Sequence, residues 1–170
     1  MAEPAALTAV VFAPAYAAPE QIKACAVEVA RVGAGALRLP EASGEWSLAT
    51  RRAVEFATGL VVLAPGDEPV ELLLRDEPIA ELHAALMLRP AGELVVGGPA
   101  VSALLAGLAA GTHLRAGSAD FLDAPGVAGT LSGAGVRHEV QLVARAAGLA
   151  RLAGRPPMTA DQFRARWRIR

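Results

Sequence analysis

Short apolar runs recur along this chain, each followed by a stretch with helical spacing. That alternation constrains the fold more than any other feature. Leu7 to Ala13 is a continuous apolar and β-branched run, the pattern of a strand buried on both faces. Pro14 and Tyr16 make a loop, and Pro19 opens a helix with Glu20 in its first turn. Ile22, Ala26, Val29 and Ala30 recur at helical spacing up to Val32, where Gly33 and Gly35 stop the helix. Ala36 to Leu39 follows as a second strand. The whole unit takes 33 residues, Leu7 to Leu39, which suits a right-handed parallel crossover.

The alternation continues. A loop, Pro40 to Ser47, carries Glu41, Glu45 and Trp46; Ser47 can cap a helix that runs to Thr58 and ends at Gly59. Leu60 to Ala64 is a third buried strand, closed by Pro65-Gly66-Asp67, and Val70 to Leu74 reads as either a fourth strand or a turn of helix. Pro78 to Leu88 reads as helix, Glu93 to Val96 as strand, Pro99 to Ala110 as a nearly all-apolar helix, and His113 to Ala116 as strand. A glycine-rich loop from Phe121 to Gly135 is long enough to be either functional or disordered. A helix over Val136 to Ala153 and a shorter one from Thr159, with Gln162 completing a capping box, end the chain. Five or six strands alternating with helices imply one α/β domain over residues 1–170 with a parallel sheet.

Composition narrows the functional classes. Aromatic residues are only 4% of a chain that is 54% hydrophobic, so Ala, Val and Leu must build the core. A net charge of -1 gives no global basic field for nucleic acid. The arginines at 164, 166, 168 and 170 read as a solvated helix end. The one cysteine, Cys25, lies on an apolar helix face and reads as a buried structural thiol in a reducing compartment. The acidic Met1 to Pro4 gives no signal-peptide pattern. Gly and Pro break the apolar windows before they reach a membrane span, so a cytoplasmic protein is expected.

Three segments carry a resemblance. Gly111-Thr112-His113-Leu114-Arg115-Ala116-Gly117 resembles the G-G-H-V-R-V-G of the β-keto acid cleavage enzymes, whose named type is the 3-keto-5-aminohexanoate cleavage enzyme. Gln141 to Ala146 resembles that family's E-L-V-E-R-A, and Thr159 to Arg164 its T-P-x-E-A-R. The opening strand, Ala18 to Ile22 and Val32-Gly33-Ala34 resemble its N-terminal part; the match covers roughly residues 8 to 63 and 94 to 168. The resemblance implies a TIM barrel, a divalent metal that is usually zinc, and exchange between a β-keto acid and acetyl-CoA. A chain of 170 residues is too short for eight βα units, so a shortened, incomplete TIM-barrel-like fold with its middle missing is expected. The family's metal ligands correspond to Arg38, Pro40 and Ala119, none of which can bind a metal, so no metal site is expected. Without one, the Lewis-acid contribution is absent.

The resemblance leaves Arg115 and Asp120 as catalytic candidates, just past a strand's C-terminal end, where α/β proteins place chemistry. Two readings stay open: Arg115 anchors a substrate carboxylate while Asp120 orients or moves a proton, or the two form a salt bridge that fixes the loop. Arg38 could hold an anion where the metal was lost, or simply record the loss. Gly97 and Gly98, between a strand and a helix, could offer backbone N–H groups to a phosphate of CoA, or make a plain tight turn. His113 reads as a core histidine bonded to backbone; His83 and His138 lie on helices with no second ligand nearby.

Two functions are expected as alternatives. One is a divergent, metal-independent protein of this type that binds a small carboxylate, β-keto acid or acyl-CoA, an acyl-CoA-dependent C–C cleavage or transfer enzyme with acetyl-CoA as a possible co-substrate. The other is a non-catalytic remnant that binds a ligand or partner. An open sheet edge exposes unpaired backbone groups, so a homo-oligomer that covers or closes the sheet is expected. Neither nucleic acid nor membrane is expected as a partner.

Overall fold

The computed structural model describes residues 6–15, 19–40, 48–64, 66–121 and 136–169. Six strands, β1 (Val10–Phe12), β2 (Ala36–Arg38), β3 (Val61–Leu63), β4 (Val70–Leu73), β5 (Leu94–Gly97) and β6 (His113–Ala116), form one sheet. Its order is β3-β2-β1-β6-β5-β4, and every pairing is parallel. The first and last strands are hydrogen-bonded neighbours, as in a closed barrel, while β3 and β4, consecutive in sequence, are the two edges. The wall is therefore interrupted between β3 and β4, in the middle of the chain. The ambiguous Val70 segment is a strand.

The helices are α1 (Pro19–Val32), α2 (Leu48–Thr58), α3 (Pro78–Leu86), α4 (Val101–Ala110), α5 (Val136–Leu152) and α6 (Ala160–Trp167). Ser47, Tyr16, the acidic N-terminus and the glycine-rich segment over 122–135 lie outside the described residues. The capping box at Thr159 is present, with Thr159 accepting from the Gln162 amide and the Gln162 side chain accepting from the Thr159 amide. No helix among the described residues is long and apolar enough to cross a membrane.

Strand alternation divides the core into two layers. Val10, Phe12, Leu37, Val62, Leu114 and Ala116 point outward and pack beneath α1, α2, α4 and α5; Cys25 is buried among them. Ala9, Val11, Ala36, Val61, Leu63 and Val95 point inward and meet Met158 and Phe163. That second cluster shows where α6 goes: it fills the floor of the concave face, with Phe163 fully buried and Trp167 packed against it at a 4.4 Å ring separation.

The sheet must curl. β2 and β4 are four strand steps apart, about 19 Å in a flat sheet. Yet Arg38 Nε lies 2.5 Å from Glu71 Oε1, which requires the ends of the sheet to turn toward each other. Six parallel strands wrapped by helices make a curled half-barrel, a shortened and incomplete TIM-barrel-like α/β fold.

Candidate functional site

Two residues along from the apolar floor, the same inward-facing strand positions become charged. Ala36 gives way to Arg38 on β2 and His113 to Arg115 on β6, while β4 contributes Glu71. These are alternate strands, the set that supplies one layer of inward side chains in a barrel. Glu71 sits between the two guanidiniums: Arg38 Nε donates to Oε1 at 2.5 Å and Arg115 Nη1 to Oε2 at 3.0 Å. Arg115 Nε donates to Asp120 Oδ1 at 2.6 Å. Two cations and two anions thus alternate as Arg38–Glu71–Arg115–Asp120, and the row is electrically neutral.

The surroundings hold this row in place. Asp120, at the end of a short 3-10 turn (Ser118–Phe121), is buried. Burial pushes its carboxyl pKa up, against the pull of the Arg115 guanidinium. Burial also works against the charge on Arg115, but Asp120 and Glu71 outweigh it and raise its pKa. The turn itself is anchored from α5. Glu139, fully buried, accepts from the Ser118 amide at 3.0 Å and from the Ser118 hydroxyl. Its carboxyl is also raised, chiefly by burial.

The candidate residues now have defined places. Arg115 and Asp120 are paired, the contact that one of their two readings describes. Arg38 joins them through Glu71, and its other donors go to backbone carbonyls beyond β3: Ala64 at 2.5 Å, and Asp67 and Pro69 each at 2.9 Å. It thereby ties the end of β3 to the start of β4 across the gap in the wall. Gly97 lies under the pair, where a Cβ would meet Asp120 Oδ1 at 3.1 Å and Arg115 Cβ at 3.2 Å. Gly98 is packed so closely that a Cβ would come within 2.5 Å of the Leu74 carbonyl oxygen. Both glycines make room for neighbours in the fold.

His113 accepts a hydrogen bond from the Ala9 amide at Nδ1, 3.0 Å, and stands edge-on to Trp167. Burial depresses its pKa to about 4, so it is neutral at physiological pH. Among the described residues no group of three or more His, Cys, Asp or Glu side chains is placed to hold a metal. At the position of the resembled family's ligands stands a guanidinium, which offers donors only. Arg38, Pro40 and Ala119, the residues that the resemblance matches to the ligands, offer zinc no donor atom.

Sequence reasoning missed Glu71, Glu139 and Ser118. Glu71 had a signal: as a strand, Val70-Glu71-Leu72-Leu73 puts its one charge on a single face. Glu139 had one as well: it is the lone acid of α5 and stands four residues before Val143 on the helix's buried face. No family model matches the chain, and no curated protein sequence matches it.

Proposed function

We propose that this protein is a non-catalytic binding protein whose charged mouth serves as an internal ionic clamp. One observation carries this reading: the seat between Arg38 and Arg115, which suits a substrate carboxylate chemically, is taken by the chain's own Glu71. A tethered carboxylate competes at high effective concentration with any free one. In the same row Arg38 spends its donors on joining strand ends and Asp120 is held by Arg115, so each member of the row is engaged with another part of the chain.

A second reading is favoured by one further observation. Arg115 uses Nε and Nη1 in the row, and its Nη2 has no hydrogen-bond partner among the described residues. A small carboxylate, β-keto acid or acyl-CoA that reaches Nη2 is the metal-independent binding function that the resemblance implies. Thermal shift with acetoacetate and with acetyl-CoA separates the two. The non-catalytic reading expects no shift for the natural chain and a gain of acetoacetate binding in Glu71→Gln, where two guanidiniums lose their internal partner. A saturable shift in the natural chain, lost in Arg115→Lys, supports the second reading. Stoichiometric zinc after purification would overturn the assignment of Arg38, Pro40 and Ala119 to the ligand positions.

A further inference from the structure

The β3 edge of the sheet differs from the expectation of an open template. On β3 the backbone donors that face away from β2 belong to Leu60, Val62 and Ala64, and each is already taken by a side chain. Thr58 Oγ1 accepts from Leu60 at 3.2 Å, Glu55 Oε1 from Val62 at 3.0 Å and Asp67 Oδ2 from Ala64 at 2.7 Å. Such capping discourages strand addition. The helices beside the two edges are a different matter.

Around the outside of the sheet the helices follow the order α2, α1, α5, α4, α3, so α2 and α3 are the ends of the layer. Each has an exposed face made of two adjacent i, i+4 ridges. On α2 these are Leu48/Arg52/Phe56 and Ala49/Ala53/Ala57; on α3 and its last turn they are Ile79/His83/Met87 and Ala80/Ala84/Leu88. Five residues of six on each face are apolar, the reverse of an ordinary solvent face. Phe56 is 95% exposed and Ile79 79%. Isolated apolar residues on a surface are common; paired ridges of them mark an interface.

We propose that these faces dock two copies of this chain, with α2 of each copy against α3 of the other. Shape and charge both support a second copy as the occupant. Phe56 is a protruding aromatic knob, and Glu77, Pro78, Ile79, Ala80 and His83 line a shallow hollow of about 570 Å³ on α3. One turn from the knob is Arg52, with no acid on its exposed face, since Glu55 is turned to the β3 edge. At the rim of the hollow is the exposed Glu77, preceded by the likewise exposed Arg75 and Asp76, so that Glu77 is the acid of the lining itself. Knob and cation belong to one end of the helix layer, hollow and anion to the other. A two-fold pair makes the same contact twice, as an isologous dimer requires. The association uses helix faces and leaves the capped strand edge unpaired. It is independent of the charged mouth, so it stands or falls separately from the function proposed above.

Analytical ultracentrifugation of the natural chain and of two surface variants tests it. The natural chain is expected to sediment as a dimer at micromolar concentration, and Phe56→Asp and Ile79→Asp each as a monomer with an unchanged far-UV spectrum and a melting temperature that no longer rises with protein concentration. An equimolar mixture of the two variants is expected to associate again, more weakly than the natural chain, because the mixed pair restores one of the two contacts and leaves the other doubly disrupted. Arg52→Glu weakens the dimer, and adding Glu77→Arg restores it. A natural chain that stays monomeric, a dimer that survives both single variants, or a mixture that does not recover would each overturn the proposal.

Discussion

The concave face has two regions built on the same strands, an apolar floor and a charged mouth, and they are stabilised on different terms. At the floor, Val11, Ala36, Val61 and Val95 close over Phe163 and Trp167, and removal of apolar surface from water is the stabilising term. At the mouth, each charge has lost most of its water and is tolerated because its neighbour carries the opposite sign. A floor residue can be trimmed at a cost that scales with the space left behind. A mouth residue cannot be removed singly without stranding a buried charge.

The sharpest way to break this comparison is Arg115→Ala. It leaves Asp120 and Glu71 without their shared partner, and a loss of about 3–5 kcal/mol in urea unfolding is expected. Replacing Arg38, Glu71, Arg115 and Asp120 together by apolar residues of similar volume is expected to recover most of that loss, since no charge is then left unpaired. If the quadruple variant is no more stable than Arg115→Ala, the mouth owes its stability to something other than charge pairing.

At the floor, Phe163→Ala is expected to cost a similar amount, about 3–5 kcal/mol, through the cavity beside Trp167. Removing a partner residue should not rescue it, which distinguishes packing from pairing.

Acid separates the regions in another way. The folded-state pKa of His113, about 4, lies below the ordinary 6.5, so between these values the unfolded chain binds the extra proton. Its contribution is therefore complete above pH 6.5 and is lost as pH falls toward 4, at most about 3 kcal/mol. Asp120 and Glu139 act in the opposite sense, because their raised carboxyls gain protons more readily in the folded state. Chemical denaturation across this range should show a smaller acid loss in His113→Asn, which keeps an acceptor for the Ala9 amide without titrating. The smallest effect expected is that of Thr159→Ala, which removes the cap that starts the floor helix and costs about 1 kcal/mol by thermal melt.

Much of the architecture was legible locally. Pro19 and Val32 bound α1 as the helical spacing required, Thr159 and Gln162 announced α6, and the apolar runs marked the strands. Those signals act within a few residues, where backbone propensity, capping and periodicity decide. The Arg115–Asp120 pair was also within reach, as five residues at a strand end bring the two together. The partner that completes the row was not. Glu71 is 33 residues from Arg38 and 44 from Arg115, and only the curl of the sheet brings the three strands around one axis.

The sequence by itself determined an alternating parallel α/β chain and the identity of the inward cations. Tertiary structure alone decided what those cations do. Arg38 at the end of a short strand could have faced solvent, a ligand or another side chain. Closing the half-barrel placed Glu71 against it and the carbonyls beyond β3 around it, because a buried guanidinium is stable only where charge and acceptors meet it.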